Sequence, residues 1–160
     1  MDRERFLRLS GKYKDTVFRV ALNMLGSSHD ADDVVQETLI KLYRSGKSFE
    51  SDEHVKRWLI RVAINLCKNV LRSPWRRRMP LDESLVASDP FASAEEGALF
   101  AEVMALPDKY RTTLYLFYYE EYSAKEIAGL LGVSETAVTS RLSRARAMLR
   151  TKLTEENKNE

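Results

Sequence analysis

The residues best suited to chemistry lie between Thr136 and Thr154. Arg141, Arg144, Arg146, Arg150 and Lys152 fall in this stretch and no acid does, which gives it a local charge of +5. Thr136, Thr139, Ser140 and Ser143 stand among them, with Ala137, Ala145 and Ala147. A helix face that meets only solvent usually mixes Glu with Lys, because such pairs add i,i+4 attraction. This face has small and hydroxylic residues at its centre and guanidinium groups at its margins. Short side chains let a helix sit deep in the major groove of DNA, where Ser and Thr meet base edges. Flanking Arg then reaches the phosphates on either wall.

Two further clusters carry charge. From Lys56 to Arg78 there are eight basic residues and no acid. Arg57, Arg61, Asn65, Lys68 and Arg72 follow steps of four, four, three and four, so they share one helical face. Arg76, Arg77 and Arg78 extend that track, with Trp75 beside them. Cations interrupted by an amide and an aromatic suit single-stranded DNA; a solvated basic face is the alternative. Phe49, in the polar loop just before, is either a core plug or part of a base pocket. From Ser28 to Ile40 the sign reverses: Asp30, Asp32, Asp33 and Glu37 occur without a base. His29 with these carboxylates makes a poor metal set without a ligand from elsewhere. The cluster reads instead as the acidic first turn of a helix, with Asp32, Asp33, Gln36 and Glu37 offered to a basic partner. No nucleophile–base pair, phosphate-binding loop or paired acid site is present, so neither an enzyme nor a metal or cofactor is expected.

The elements that hold these residues are helices. Phe6, Leu9, Tyr13, Val17, Val20 and Met24 recur at three- and four-residue steps, which predicts an amphipathic helix from about Asp2 to Leu25, closed by Gly26. A second helix starts near Ser28, buries Val34, Val35, Leu39 and Leu42, and stops at Gly46. A third runs from about Asp52 to Leu71 with Val55, Trp58, Leu59, Val62, Leu66 and Val70 inward. Periodicity then fails over Ser73–Ser93, which holds three of the four prolines and reads as an extended linker. Further helices are expected at about Ala94–Ala105, Asp108–Glu120, Ala124–Leu131 and Glu135–Lys152, followed by a frayed polar tail. The fold class is all-α: two small helical domains on a linker, over 1–72 and 94–155.

The C-terminal pair of helices has local signals for a sharp turn. Ser123 and Glu126 form an S-x-x-E capping box, Gly132 permits the turn, and Ser134 can cap the next helix. Helix, short turn and helix make a helix-turn-helix. At about 100° per residue, Val138, Leu142, Ala145 and Leu149 share the inner face of its second helix. Thr136, Ser140, Ser143, Arg144 and Ala147 lie opposite, with Thr139, Arg141 and Arg146 towards the flanks.

The chain has 160 residues, 44% of them hydrophobic, enough for one core or two small ones. Its net charge of only +2 does not by itself indicate a polyanion partner; the sorting of charge does. The single cysteine, Cys67, excludes an intramolecular disulfide and reads as a small buried hydrophobe in a reducing compartment. No apolar run approaches the ~20 residues of a membrane span, and the N-terminus lacks the apolar core of a signal peptide. The expectation is a cytoplasmic protein without membrane insertion.

Taken together, these stretches resemble the extracytoplasmic-function branch of the sigma-factor family of bacterial RNA polymerase. "DADDVVQETLIKLYR" is similar to its core-polymerase-binding helix and "WLIRVAINLCKNVLR" to its promoter-melting, −10-reading helix. "LPDKYRTTLYLFYYEEYSAKEIAGLLGVSETAVTSRLSRARAMLR" is similar to its −35-reading domain. The resemblance implies that Asp32, Asp33, Gln36 and Glu37 dock core polymerase. It implies that Asn65 stands next to a flipped −10 base, with Arg61, Lys68 and Asn69 along the strand and Phe49 in the base-pocket loop. Arg57 and Arg72 extend that set. Thr139, Ser140, Ser143 and Arg144 match −35 positions, with Thr136, Arg141 and Arg146 around them. An anti-sigma partner is expected as well. Two readings compete with this one: a stand-alone helix-turn-helix regulator, and a metal-dependent helical enzyme built on His29.

Overall fold

A computed structural model of the chain describes residues 1–74 and 101–158. The chain divides into two compact units, Met1–Leu85 and Val86–Glu160. Apart from Ser73 and Pro74, the expected linker lies outside the described residues, as does most of the helix expected over Ala94–Ala105. Helical backbone is described there over 101–104.

The first unit is a three-helix bundle of α1 (Arg3–Leu25), α2 (Ser28–Arg44) and α3 (Asp52–Arg72), each packed on the other two. Every start has a side-chain cap. The Asp2 carboxylate accepts from Arg5 N–H, the Ser27 hydroxyl from Asp30 N–H, and the Ser51 hydroxyl from His54 N–H. Such a cap stabilises a helix by about 1 kcal/mol. Gly26 closes α1 at φ 67°, a left-handed conformation that costs glycine nothing, and its N–H returns to Leu22 O at 2.8 Å.

Leu9, Tyr13, Val17, Val20 and Met24 of α1 are buried as the periodicity predicts, while Phe6 is half-buried against the edge of Tyr43. The end of α1 departs from an amphipathic pattern, because Val20 to Leu25 are buried without a break. On α2, Val34 and Leu42 are buried but Val35 and Leu39 only half-buried; Ala31 and Thr38 complete the inner face. The inner face of α3 is rotated from the expected one. Val55 and Leu59 are buried, but the remaining core positions are Ile60, Ala63, Ile64 and Cys67, and Trp58, Val62, Leu66 and Val70 are only half-buried. Helix α3 packs on two neighbours rather than one, so its apolar arc is wider than a single stripe.

The second unit contains α4 (Asp108–Leu114), α5 (Ala124–Leu131) and α6 (Glu135–Lys158), with α4 and α5 both packed on α6. Leu116, Ile127, Val138 and Ala145 are fully buried at its centre. The helix expected over Asp108–Glu120 changes form part-way. Tyr115–Tyr119 is a π turn, closed by Glu120 N–H to Tyr115 O at 3.2 Å. The wider ring redirects the side chains it carries: Tyr115 and Leu116 are buried, Phe117 half-buried, Tyr118 and Tyr119 exposed. Helix α6 also runs past the expected end at Lys152, to Lys158. Glu155, Glu156 and Lys158 are good helix formers, so propensity carries the backbone through a polar sequence.

One ionic cluster ties the first unit together. Arg8 meets both Asp52 oxygens, at 2.7 and 3.2 Å, and Lys12 adds a bond at 3.1 Å, so α1 holds the first turn of α3. These hydrogen bonds lower the Asp52 carboxyl from 3.8 to about 2, and the same contacts raise Arg8 and Lys12. A depressed carboxylate contributes stability that is present above pH 3.8 and lost as pH falls through about 2. Asp52→Asn is therefore expected to lower the urea midpoint at pH 7 and to converge with the wild type as pH falls below about 2. A gap that persists in acid would assign the loss to packing instead of the carboxylate.

Candidate nucleic-acid and protein interfaces

The face of α6 is set by the turn that precedes it. Ser123 accepts from Glu126 N–H and Glu126 accepts from Ser123 N–H, both at 3.1 Å, so the capping box starting α5 is complete. Gly132 stands at φ 69°, Val133 N–H returns to Ala128 O at 3.1 Å, and the Ser134 hydroxyl accepts from Ala137 N–H. Any residue with a Cβ would be strained at Gly132. This turn fixes where α6 starts, and α6 buries Val138, Leu142 and Ala145. Thr136, Thr139, Ser140, Ser143, Arg144, Arg146 and Ala147 are exposed, with Arg141 half-buried and Leu149 likewise.

The chemistry available on that face differs from residue to residue. The Thr139 hydroxyl donates to Thr136 O at 2.9 Å, which leaves its lone pairs as acceptors. Ser140 and Ser143 have no hydrogen bond to other described residues, so both can donate and accept. Arg141 and Arg144 have no acidic partner among the described residues. Arg146 is held differently: its Nε donates to Tyr118 Oη, and its guanidinium lies over the rings of Phe117 and Tyr118. Sequence reasoning missed this contact, since a separation of 28 residues leaves no periodic signal.

In the first unit, Arg57, Arg61, Asn65, Asn69 and Arg72 are exposed along α3 and Lys68 is half-buried. Arg57 sits 3.5 Å from Glu53 one turn earlier. Trp75 and Arg76 to Arg78 lie outside the described residues. Phe49 is buried, packed edge-on against His54 at 5.3 Å and Trp58 at 5.5 Å between centroids. Its ring therefore supports the start of α3 from the loop, and His54 Nδ1 accepts from Glu50 N–H to hold that loop in place.

On α2 the residues Asp32, Asp33, Gln36 and Glu37 are exposed together, and Asp30 is half-buried. No cation pairs with Asp32, Asp33 or Glu37 among the described residues. His29 is exposed, and no three His, Cys, Asp or Glu side chains converge as metal ligands among the described residues. Beside the acidic face, Glu37, Ile40, Lys41, Arg44, Ser45, Trp58 and Val62 line an open groove of about 570 Å³ between α2 and α3. The sequence pattern does not reveal this groove, because periodicity puts Trp58 and Val62 in the core, whereas both are half-buried at its wall. Exposed Ile40 was the one signal that could have indicated it. Among the described residues no helix is long and apolar enough to cross a membrane.

Residues 9–77 match Sigma-70 region 2 and residues 97–149 match Sigma-70, region 4. The ECF RNA polymerase sigma factor SigW of Bacillus subtilis (strain 168) is 30% identical, covering 95% of this chain and 90% of its own length. The ECF sigma factor SigM of Mycobacterium tuberculosis (strain H37Rv) is 33% identical over 92% of this chain and 76% of its own. Among solved structures, the sigma factor RpoE in complex with the anti-sigma factor NepR from Bartonella quintana superposes with a TM-score of 0.74 at 21% identity, covering 95% of this chain and 96% of that one. CnrH in complex with the cytosolic domain of CnrY gives 0.67 at 23%, over 96% and 90%. With regions 2 and 4 in order and such relatives matched nearly end to end, this chain belongs to the extracytoplasmic-function sigma factors of RNA polymerase.

Proposed function

We propose that the chain is a dissociable specificity subunit that directs core RNA polymerase to promoters and helps open them. One observation carries this reading beyond that of a stand-alone regulator. A helix-turn-helix would serve either, but the first unit also exposes an acidic face on α2 and a cationic, amide-bearing face on α3. A free-standing repressor needs neither. Run-off transcription with core polymerase separates the two, because a repressor yields no new transcript.

In this reading residues 1–72 carry polymerase docking and −10 capture, 73–93 link, and 94–155 read the −35 duplex. Asp32, Asp33, Gln36 and Glu37 meet a basic surface of the polymerase. Arg57, Arg61, Lys68 and Arg72 track the phosphates of the separated strand, and Asn65 and Asn69 offer amides to a displaced base. Phe49 acts from beneath, by holding the loop that shapes the pocket. Thr136, Thr139, Ser140 and Ser143 face base edges, with Arg141, Arg144 and Arg146 on the phosphates. The work is binding, not covalent chemistry, and it is done in the cytoplasm. The RpoE structure above holds an anti-sigma factor and the CnrH structure holds the cytosolic domain of CnrY, so both were solved with a bound protein, and the first supports an anti-sigma partner for this chain too.

Asp33 and Glu37 point away from the core, so reversing both to Lys is expected to leave helicity and melting nearly unchanged. Polymerase binding should drop, because like charges then face each other. Co-purification with core polymerase at wild-type yield would remove α2 from the docking surface. Asn65→Ala is expected to weaken transcription from a duplex promoter, and a premelted template should not restore base preference at the contacted position. Unchanged preference on both templates would take Asn65 out of the reading set. Ser143 variants are expected to shift preference by ~1–3 kcal/mol at one or two upstream base pairs, as read by promoter-library selection with holoenzyme.

A further inference from the structure

The π turn and the reading helix meet at Arg146. Its Nε donates to Tyr118 Oη, and its Cζ lies 5.4 Å from the Tyr118 ring centroid and 5.7 Å from that of Phe117. The two rings stand edge to face, 5.0 Å apart at 77°, so the guanidinium rests on a preformed aromatic corner. That corner is itself braced. Tyr115 stacks on Tyr119 at 5.2 Å, and its hydroxyl donates to Glu120 at 2.7 Å within the same turn.

A guanidinium has five N–H donors, and this contact uses only the one on Nε. The four on the Nη atoms remain, in the planar fork that matches two oxygens of a phosphate. No acid competes for them among the described residues. An arginine that enters a complex from solution must give up rotamer freedom, whereas one already fixed loses less. A ring face attracts the cation without neutralising it, so the positive charge stays available.

We propose that Tyr118 and Phe117 hold Arg146 as a preset phosphate clamp at the rim of the α6 face. Tyr118 is then a positioning residue that acts through Arg146 and contacts no base. The inference rests on the reading of α6 as a helix that enters the groove of duplex promoter DNA.

The test is a double-mutant cycle in holoenzyme, with a short duplex that carries the upstream element recovered by library selection, titrated across salt. Arg146→Ala should lower the slope of log affinity against log salt by about 0.9, one counterion, without changing sequence preference. Tyr118→Ala should weaken binding roughly two- to ten-fold, the range for freeing one rotamer-rich side chain. The double variant should bind as Arg146→Ala alone, since Tyr118 has nothing left to position. Arg146→Lys should keep the salt slope but lose affinity, and Tyr118→Ala should add little to it. If Tyr118→Ala lowers melting, Tyr118→Phe replaces it, with a smaller loss that also vanishes in the Arg146→Ala background. Additive losses, or a silent Tyr118, overturn the clamp. Ser143→Ala and Arg144→Ala run alongside. If these alter duplex binding while the cycle fails, only the clamp is wrong; if both are silent, the groove reading falls and the clamp with it.

Discussion

The contact that organises the first unit is the burial of the last two turns of α1. Val20 to Leu25 are enclosed on every side, which a helix reaches only when it has neighbours on more than one face. Those neighbours are α2 and α3, which also touch each other. Each must give α1 an apolar arc: Ala31, Val34, Thr38 and Leu42 from α2, and Val55, Leu59, Ile60, Ala63, Ile64 and Cys67 from α3. What remains on each helix is an outer arc that the core does not constrain. The acids of α2 and the cations and amides of α3 occupy those arcs. Sorting the charges by helix therefore costs the fold little, and the Arg8–Asp52–Lys12 cluster adds a clip at the surface.

Charges on these outer arcs that form no ion pair suit a surface that waits for a partner. Asp33 and Glu37 on one helix, and Arg61 and Arg72 on the next, form no ion pair with described residues. Their fields are screened beyond about 8 Å at physiological salt. They contribute little until a partner of opposite charge comes within that distance and water is displaced. The groove between α2 and α3 adds an apolar element beside the acids, through Ile40, Trp58 and Val62. A docking surface with both parts has electrostatics for encounter and apolar area for residence.

Much of this was legible in the sequence, and the misses follow a rule. The starts of α5 and α6 were readable because Ser123 and Ser134 act on backbone groups only a few residues away. Gly26 and Gly132 marked stops for the same local reason. The exposed face of α6 was readable because its apolar residues keep one period. The rotation of α3 was not, since a helix with two neighbours has an apolar arc too wide for one stripe to define. The π turn was hidden as well: "YLFYY" keeps an apolar character throughout, and an inserted residue in the hydrogen-bond ring leaves no mark on composition. Phe49 in sequence fits either core or pocket, and only its tertiary placement beside Trp58 and His54 resolves its burial.

Three guanidiniums of α6, those of Arg141, Arg144 and Arg146, end up with different freedom, and that difference would have physical consequences in the proposed groove reading. Arg144 is exposed and unpaired, so it can sample phosphates on approach and adds to long-range steering. Arg141 is half-buried, so part of its side chain is already withdrawn from water. Arg146 is tied to a turn more than twenty residues away in sequence, so moving it means breaking its hydrogen bond to Tyr118 and leaving the two rings. A free cation mainly speeds encounter and then loses entropy on contact; a fixed one gives up less and resists a shift in register. A small hydroxylic centre such as Ser140 and Ser143 has short hydrogen bonds that fail if the helix slides or rolls slightly. In the proposed groove reading, such bonds discriminate bases better when something at the rim resists the roll, and Arg146 on its aromatic corner is placed to do so.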